Sequence, residues 1–279
     1  MILGTKSAVV NYKLIFRTNL KTHHVTKTLT LTAAITIASI AHAVPIADGY
    51  VGGDANGYGD VISSASNYNT FNITSMDVER SGNILSVSIN TGFSGKGNDH
   101  LFNGITNGQG IGYGDLFLSS AWNPSGTAPY YNDDNTNGTI WTYGFSLEDR
   151  WMDEALINGS GTLYELKSGN NDADALLSDD FISAPTFRNG QEVAVDISSS
   201  GVEEVVGNNS SWSLTTGKIN FLIDLTGTDL ISSNTIALHW GMTCANDTIE
   251  GEYTVPEPAI LSLLALGLIG IGVSKRKNI

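Results

Sequence analysis

The sequence predicts an all-β chain, an antiparallel β-sandwich or jelly-roll body, on three observations. Several stretches alternate apolar and polar residues with the period of two that puts one strand face in a core and the other toward water. These stretches are separated by Gly, Asn, Asp and Ser, and the 279-residue chain holds 31 glycines. Charged residues make up only 15% while hydrophobic ones reach 41%, which suits half-buried strands better than solvated helices.

Taken in chain order, "FNITSMDVE" and "NILSVSINT" form a hairpin across the turn Arg80-Ser81-Gly82-Asn83, with Leu85, Val87 and Ile89 on one face and Ser86, Ser88 and Asn90 on the other. "GDLFLSS" and "TIWTYGFSL" are the next strands. A helix capped at Ser146 competes within "SLEDRWMDEALIN" (Ser146–Asn158). Alternation returns in "EVAVDIS" (Val193, Val195, Ile197) and "KINFLIDLT" (Ile219, Phe221, Ile223, Leu225), and "TIALHWGM" closes the series. No heptad pattern, solenoid period or second domain boundary interrupts it.

Both ends differ from this body. Residues up to Ala43 carry no acid, and "LTLTAAITIASIAHA" (Leu29–Ala43) ends in the small-x-small pattern Ala41-His42-Ala43, the form of an N-terminal signal peptide cut by signal peptidase after Ala43. At the other end, Ala259–Val273 is uncharged and is followed by Lys275, Arg276 and Lys277. As a single hydrophobic helix it reaches about 23 Å, short of the roughly 30 Å hydrocarbon core, with its basic anchor on the cytoplasmic side. Before it, Pro256 and Pro258 hold Glu257 in an extended, accessible segment. Five of the 14 Lys and Arg precede Ala43 and three close the chain, so six face all 28 Asp and Glu between, a formal −22. Such a body is repelled by nucleic acid and by anionic headgroups; divalent cations and neutral sugars are its compatible small partners.

Pro256-Glu257-Pro258, a short apolar helix and Lys275-Arg276-Lys277, in that order, resemble the PEP-CTERM sorting signal of Gram-negative bacteria. "ALHWGMTCANDTIEG" (Ala237–Gly251) resembles the stretch with His-Trp, Cys and Asn-Asp that precedes the tail in many such proteins. The resemblance implies an exosortase as processing partner, transient residence in the inner membrane through the C-terminal helix, and a final place on the cell surface or in the extracellular matrix, among extracellular polysaccharide. The expected organisation is a signal peptide at 1–43, a secreted β-sandwich domain at 44–254 and the sorting signal at 255–279. The expected role is structural or adhesive; the alternative is a carbohydrate-active enzyme or a lectin-like carbohydrate-binding module.

Chemistry is sparse. Cys244 is the single cysteine, so no intrachain disulfide forms. Only His100 and His239 lie in the body, with no HExxH and no GxSxG, and the chain is expected not to be an enzyme. The loops offer hard oxygen ligands for Ca²⁺ at Asp54, Asn56 and Asp60, at Asp133 and Asp134, and at Asp172 and Asp174, although none is an EF-hand loop. The same residues serve equally to shape turns. Trp122, Tyr130, Tyr131 and Trp141 surround the polar "NDDNTNG" loop and are the candidate sugar platform. Finally, "GYGDLFLSS" after "LSVSINTGFSG" resembles secreted carbohydrate-binding sandwich modules, which implies sugar binding.

Overall fold

The computed structural model describes residues 44–53, 60–61, 68–97, 110–152, 158–182 and 188–256. The described residues belong to one compact unit, Ala41–Glu257. The expected signal peptide and C-terminal helix lie outside them.

Thirteen strands are present among the described residues, all paired antiparallel. One sheet has the order β1-β2-β3-β11-β10, from Val44–Ala47, Ile73–Ser81, Ile84–Thr91, Lys218–Asp224 and Ser211–Thr215. A second has the order β13-β12-β4-β5-β6-β9, from Thr248–Thr254, Thr235–Gly241, Leu116–Ser119, Tyr143–Leu147, Gly161–Leu166 and Val202–Glu204. β7 (Ala175–Leu177) and β8 (Glu192–Val195) form a separate pair. The all-β, antiparallel character expected from the sequence is therefore present.

The two large sheets share one apolar core. Leu85, Val87 and Ile89 of β3 and Ile219, Phe221 and Ile223 of β11 point into it, while Ser86, Ser88 and Asn90 face out half-buried. Opposite them stand Leu116 and Leu118 of β4, Phe145 of β5, and Leu238 and Trp240 of β12. Phe145 meets Phe221 edge-on at 6.2 Å between ring centroids, which joins the layers. β2 and β3 are linked through Gly82, whose φ of 61° lies in the left-handed region that a tight turn requires.

The second sheet is also covered on its outer face. β8 lies there, so β4, β8 and most of β12 are buried on both sides. Phe117, Trp141, Leu166, Ala175, Val195 and Ala237 form the cluster beneath it. The approach is close: a Cβ on Gly144 would lie 2.4 Å from Val195 Cγ2. Two expectations change here. Ser146 and Leu147 belong to β5, paired with Thr162 and Gly161, rather than opening a helix; the backbone follows the sheet because Leu147 fills the core. The alternation in "EVAVDIS" also fails. Glu192–Val195 is buried throughout, and Ile197, beyond the strand, is 64% exposed. Among the described residues no helix is long and apolar enough to cross a membrane.

Candidate functional site

Two features meet where the first strand packs beside the last. β1 leads into Asp48, Gly49 and Tyr50, and β13 carries Glu250, Gly251 and Glu252 beside it. Gly251 is needed for this approach, because a Cβ there would lie 2.5 Å from Ile46 Cγ2. A cleft of about 340 Å³ opens between them, walled by Tyr50, Trp122 and Tyr130 with Glu250 and Glu252 on one side. Trp122 and Tyr130 pack edge to face at 5.5 Å, and Tyr50 lies 6.0 Å from Tyr130. The indole is aimed by Trp122 Nε1, which donates to Glu250 Oε1 at 2.6 Å. Tyr130 sits at φ 62°, uncommon for a residue with a bulky side chain. Its N–H donates to the Thr127 carbonyl at 2.8 Å and Val51 N–H to the Pro129 carbonyl at 2.9 Å, which hold that turn against the first segment.

Behind the cleft runs a buried polar network. Glu250 also accepts from Thr139 Oγ1 at 3.1 Å, and its Oε2 lies 3.2 Å from His239 Nδ1. His239 Nε2 is 2.8 Å from the Glu192 carbonyl. Tyr50 donates its hydroxyl to Asp133 Oδ2 at 2.9 Å, and Gln191 Nε2 donates to the Asp133 carbonyl at 3.0 Å. Burial and the Glu250 charge push Asp133 up to about 6. Tyr50 is pushed well above its ordinary value by burial, then by Glu250 and Asp133, so its ring stays neutral.

On the far side of Tyr50, Asp48, Asp60 and Asp247 bring one carboxylate oxygen each within 4.8 Å of one another. Asp247 sits in the turn between β12 and β13, and its Oδ2 accepts from Ile73 N–H at 2.6 Å. Arg188 is fully buried beside the cluster. It donates to the carbonyls of Asp60 at 2.7 Å and Ala245 at 3.1 Å. Gly53 makes room for it, since a Cβ there would lie 2.4 Å from Arg188 Cγ. Burial, then the neighbouring Asp60, raises Asp48 to about 7, partly offset by Arg188. Burial likewise raises Asp60, and burial with Asp48 and Asp60 raises Asp247 well above the carboxylate range. Such a group of oxygen donors can take a hard cation.

The family model for the PEP-CTERM protein-sorting motif matches residues 254–277. The chain carries a PEP-CTERM protein-sorting motif. That motif is the exosortase recognition signal, so the chain is an exported protein targeted to the cell surface or the extracellular space through exosortase. It begins at the last residue of β13; Val255 N–H still donates to the Asn234 carbonyl at 2.8 Å, and Pro256 follows. Glu257, Pro258, Lys275, Arg276 and Lys277 lie outside the described residues. No curated protein and no solved structure matches the chain.

Of the aromatic residues singled out in the sequence, Trp122 and Tyr130 share the cleft, Tyr131 is 45% exposed, and Trp141 is buried in the outer cluster 5.6 Å from His239. Of the oxygen ligands, Asp60 joins the cluster, while Asp54, Asn56 and the Asp172 side chain lie outside the described residues. Asp134 accepts from Thr136 N–H and Oγ1, a turn-shaping bond. Asp174 accepts from Ser168 N–H and Oγ and from Ser199 Oγ. Cys244 is fully buried, and burial pushes its thiol up to about 12, so it is inert. Sequence reasoning missed Asp48, Asp247, Tyr50 and Glu250. The signal for Asp247 and Glu250 was their place in "ALHWGMTCANDTIEG", where the two acids stand three residues apart beside a strand that carries His239 and Trp240. A second cleft, of about 560 Å³, lies over the outer face of the six-stranded sheet by Trp151, Tyr164 and Phe181.

Proposed function

We propose that the chain is a structural or adhesive protein of a Gram-negative cell surface or extracellular matrix, and that it holds polysaccharide in the cleft of Tyr50, Trp122 and Tyr130. The observation that carries this reading is the aromatic cleft itself. Ring faces take the C–H surface of a pyranose, and carboxylates at the edge take its hydroxyls. The acidic body favours a neutral glycan over an anionic one. Retention would be passive, with the exosortase step fixing the protein where the polysaccharide is. The alternative, a sugar-active enzyme, draws less support from this lining. Hydrolysis by two carboxylates needs them on either side of the scissile bond, whereas Glu250 and Glu252 come from one strand, and both Glu250 oxygens are engaged.

The test is binding of the purified full chain to a neutral-glycan array and to the host's own exopolysaccharide. Wild type is expected to bind. Trp122→Ala and Tyr130→Ala should each weaken binding by roughly 2–10-fold, the range of one aromatic contact, with the melting temperature as a folding check. No glycan signal from wild type, or unchanged binding in both variants, removes the reading. Release of reducing ends from a bound glycan would transfer support to the enzyme.

A further inference from the structure

The geometry points to a Ca²⁺-binding site formed by Asp48, Asp60 and Asp247, which staples the first strand of the body to the hairpin that leads into the sorting motif. Three carboxylates converge within 4.8 Å. Proximity alone would not make a site; the second observation is what the oxygens lack. Asp247 is 0% exposed, and its Oδ1 is buried with no hydrogen-bond donor; Asp48 Oδ1 is in the same condition. A buried carboxyl oxygen without a hydrogen-bond partner is strongly unfavourable, and here two of them belong to a group of three crowded acids. By contrast, the buried oxygens of Asp115 and Asp174 are supplied with donors.

Charge decides what fills the gap. With an ion bound the three acids give up their protons, and three carboxylates against the Arg188 guanidinium then leave a deficit of two that one divalent cation cancels. Ligand chemistry then selects among cations. The cluster offers oxygen only, which disfavours Zn²⁺ and the softer metals. Mg²⁺ asks for a near-ideal octahedron with one or two carboxylates and several waters. Ca²⁺ accepts an irregular shell built from separate segments, and Asp48, Asp60 and Asp247 come from three of them. The bound ion would lock Asp48 to the β12–β13 turn, and Asp247 already holds the start of β2 through Ile73 N–H. This inference stands independently of the glycan reading.

The experiment takes the purified full chain, strips it with chelator, and measures calcium binding by equilibrium dialysis alongside melting temperature. About one Ca²⁺ per chain is expected, with a dissociation constant of the order of 10⁻⁵–10⁻³ M. The melting temperature should rise by roughly 5–10 °C at a hundredfold excess over that constant, and by much less with Mg²⁺. Asp60→Asn, at the least buried ligand, should weaken calcium binding at least about tenfold. In chelator, however, it should melt at or above wild type, because it removes like-charge repulsion. A purely structural aspartate would show the reverse. Asp174→Asn should leave calcium binding unchanged. Should Asp247→Asn fail to fold, Asp60→Asn and Asp48→Asn decide. Absence of stoichiometric binding by wild type up to about 10 mM Ca²⁺, or equal binding by wild type and Asp60→Asn, overturns the assignment.

Discussion

Asp115 and Asp247 are both fully buried, yet one is surrounded by donors and the other by acids. Asp115 stands at the entry to β4 under the outer layer. Its Oδ1 accepts from Leu147 N–H at 2.9 Å, its Oδ2 from Val195 N–H at 2.7 Å, and the Arg150 guanidinium bridges both oxygens at 2.9 and 3.0 Å. It ties three strands together and needs nothing further. Asp247 has one donor, two carboxylate neighbours and an oxygen left over. Burial is therefore a poor guide to what an acid does, and the supply of donors is a better one: a saturated carboxylate is part of the frame, and a starved one is a ligand.

The contrast is sharpened most by Asp115→Ala. It strands Arg150 and two strand N–H groups in the interior, and breaking a buried pair in this way costs about 3–5 kcal/mol. For a body of this size that lowers the melting temperature by roughly 10 °C, measured by calorimetry at neutral pH. A drop as large for Asp60→Asn in chelator would erase the distinction. Asp174→Ala comes next. It removes a buried acceptor from Ser168 N–H, Ser168 Oγ and Ser199 Oγ, which lie nearer the surface, and about 1–3 kcal/mol is expected. Chemical denaturation with an unchanged slope would check it. Neither variant should alter calcium or glycan binding.

The legibility of these features divides along the same line. Where a strand has one face in the core and one toward water, the period of two is written plainly, as in Leu85, Val87 and Ile89 or Ile219, Phe221 and Ile223. It vanishes at Glu192–Val195 and across β12, because β8 covers the outer face and both sides become interior. Sequence around Ser146 reads as helix because its polar and acidic residues suit a helix start; Leu147 in the core and pairing to Thr162 and Gly161 override that local preference. The cleft was half legible, since Trp122 and Tyr130 are near neighbours in a polar loop, whereas Tyr50 and Glu250 reach it from opposite ends of the body. The acid cluster was nearly illegible for the same reason. Asp48 and Asp247 are brought together only by β1 packing beside β13, and no local spacing announces a site assembled from distant segments. Whether an aspartate is saturated depends on the backbone and side-chain donors that the fold brings to it.

The smallest expected effect concerns His239, which belongs to the saturated class although it is a cation. Fully buried, it faces the Glu192 carbonyl through Nε2 and the Glu250 carboxylate through Nδ1. A carbonyl only accepts, so Nε2 carries a proton. A carboxylate only accepts too, so Nδ1 carries another, and the ring is an imidazolium held between two oxygens. Burial pulls its pKa down, but the Glu250 hydrogen bond and charge and the Glu192 charge outweigh it, and the net direction is up. A raised folded value means the folded state keeps this proton when the unfolded chain has lost it. The contribution to stability is therefore complete below the ordinary histidine value of about 6.5 and fades as pH climbs through the folded value. Asp133, raised to about 6 on the same network, makes stability fall with rising pH at a lower range, between about 3.8 and 6. Melting temperature should thus decline from about pH 6 to pH 9; Asp48, raised to about 7, and Asp247, raised well above the carboxylate range, add to that decline, so His239→Gln should make it shallower without removing it and should leave the fall at lower pH in place. A wild-type profile that is level or rises over the same interval would mean that the ring is neutral in the folded state. The boundary between saturated and starved acids would then have to be redrawn around Glu250, at the floor of the cleft.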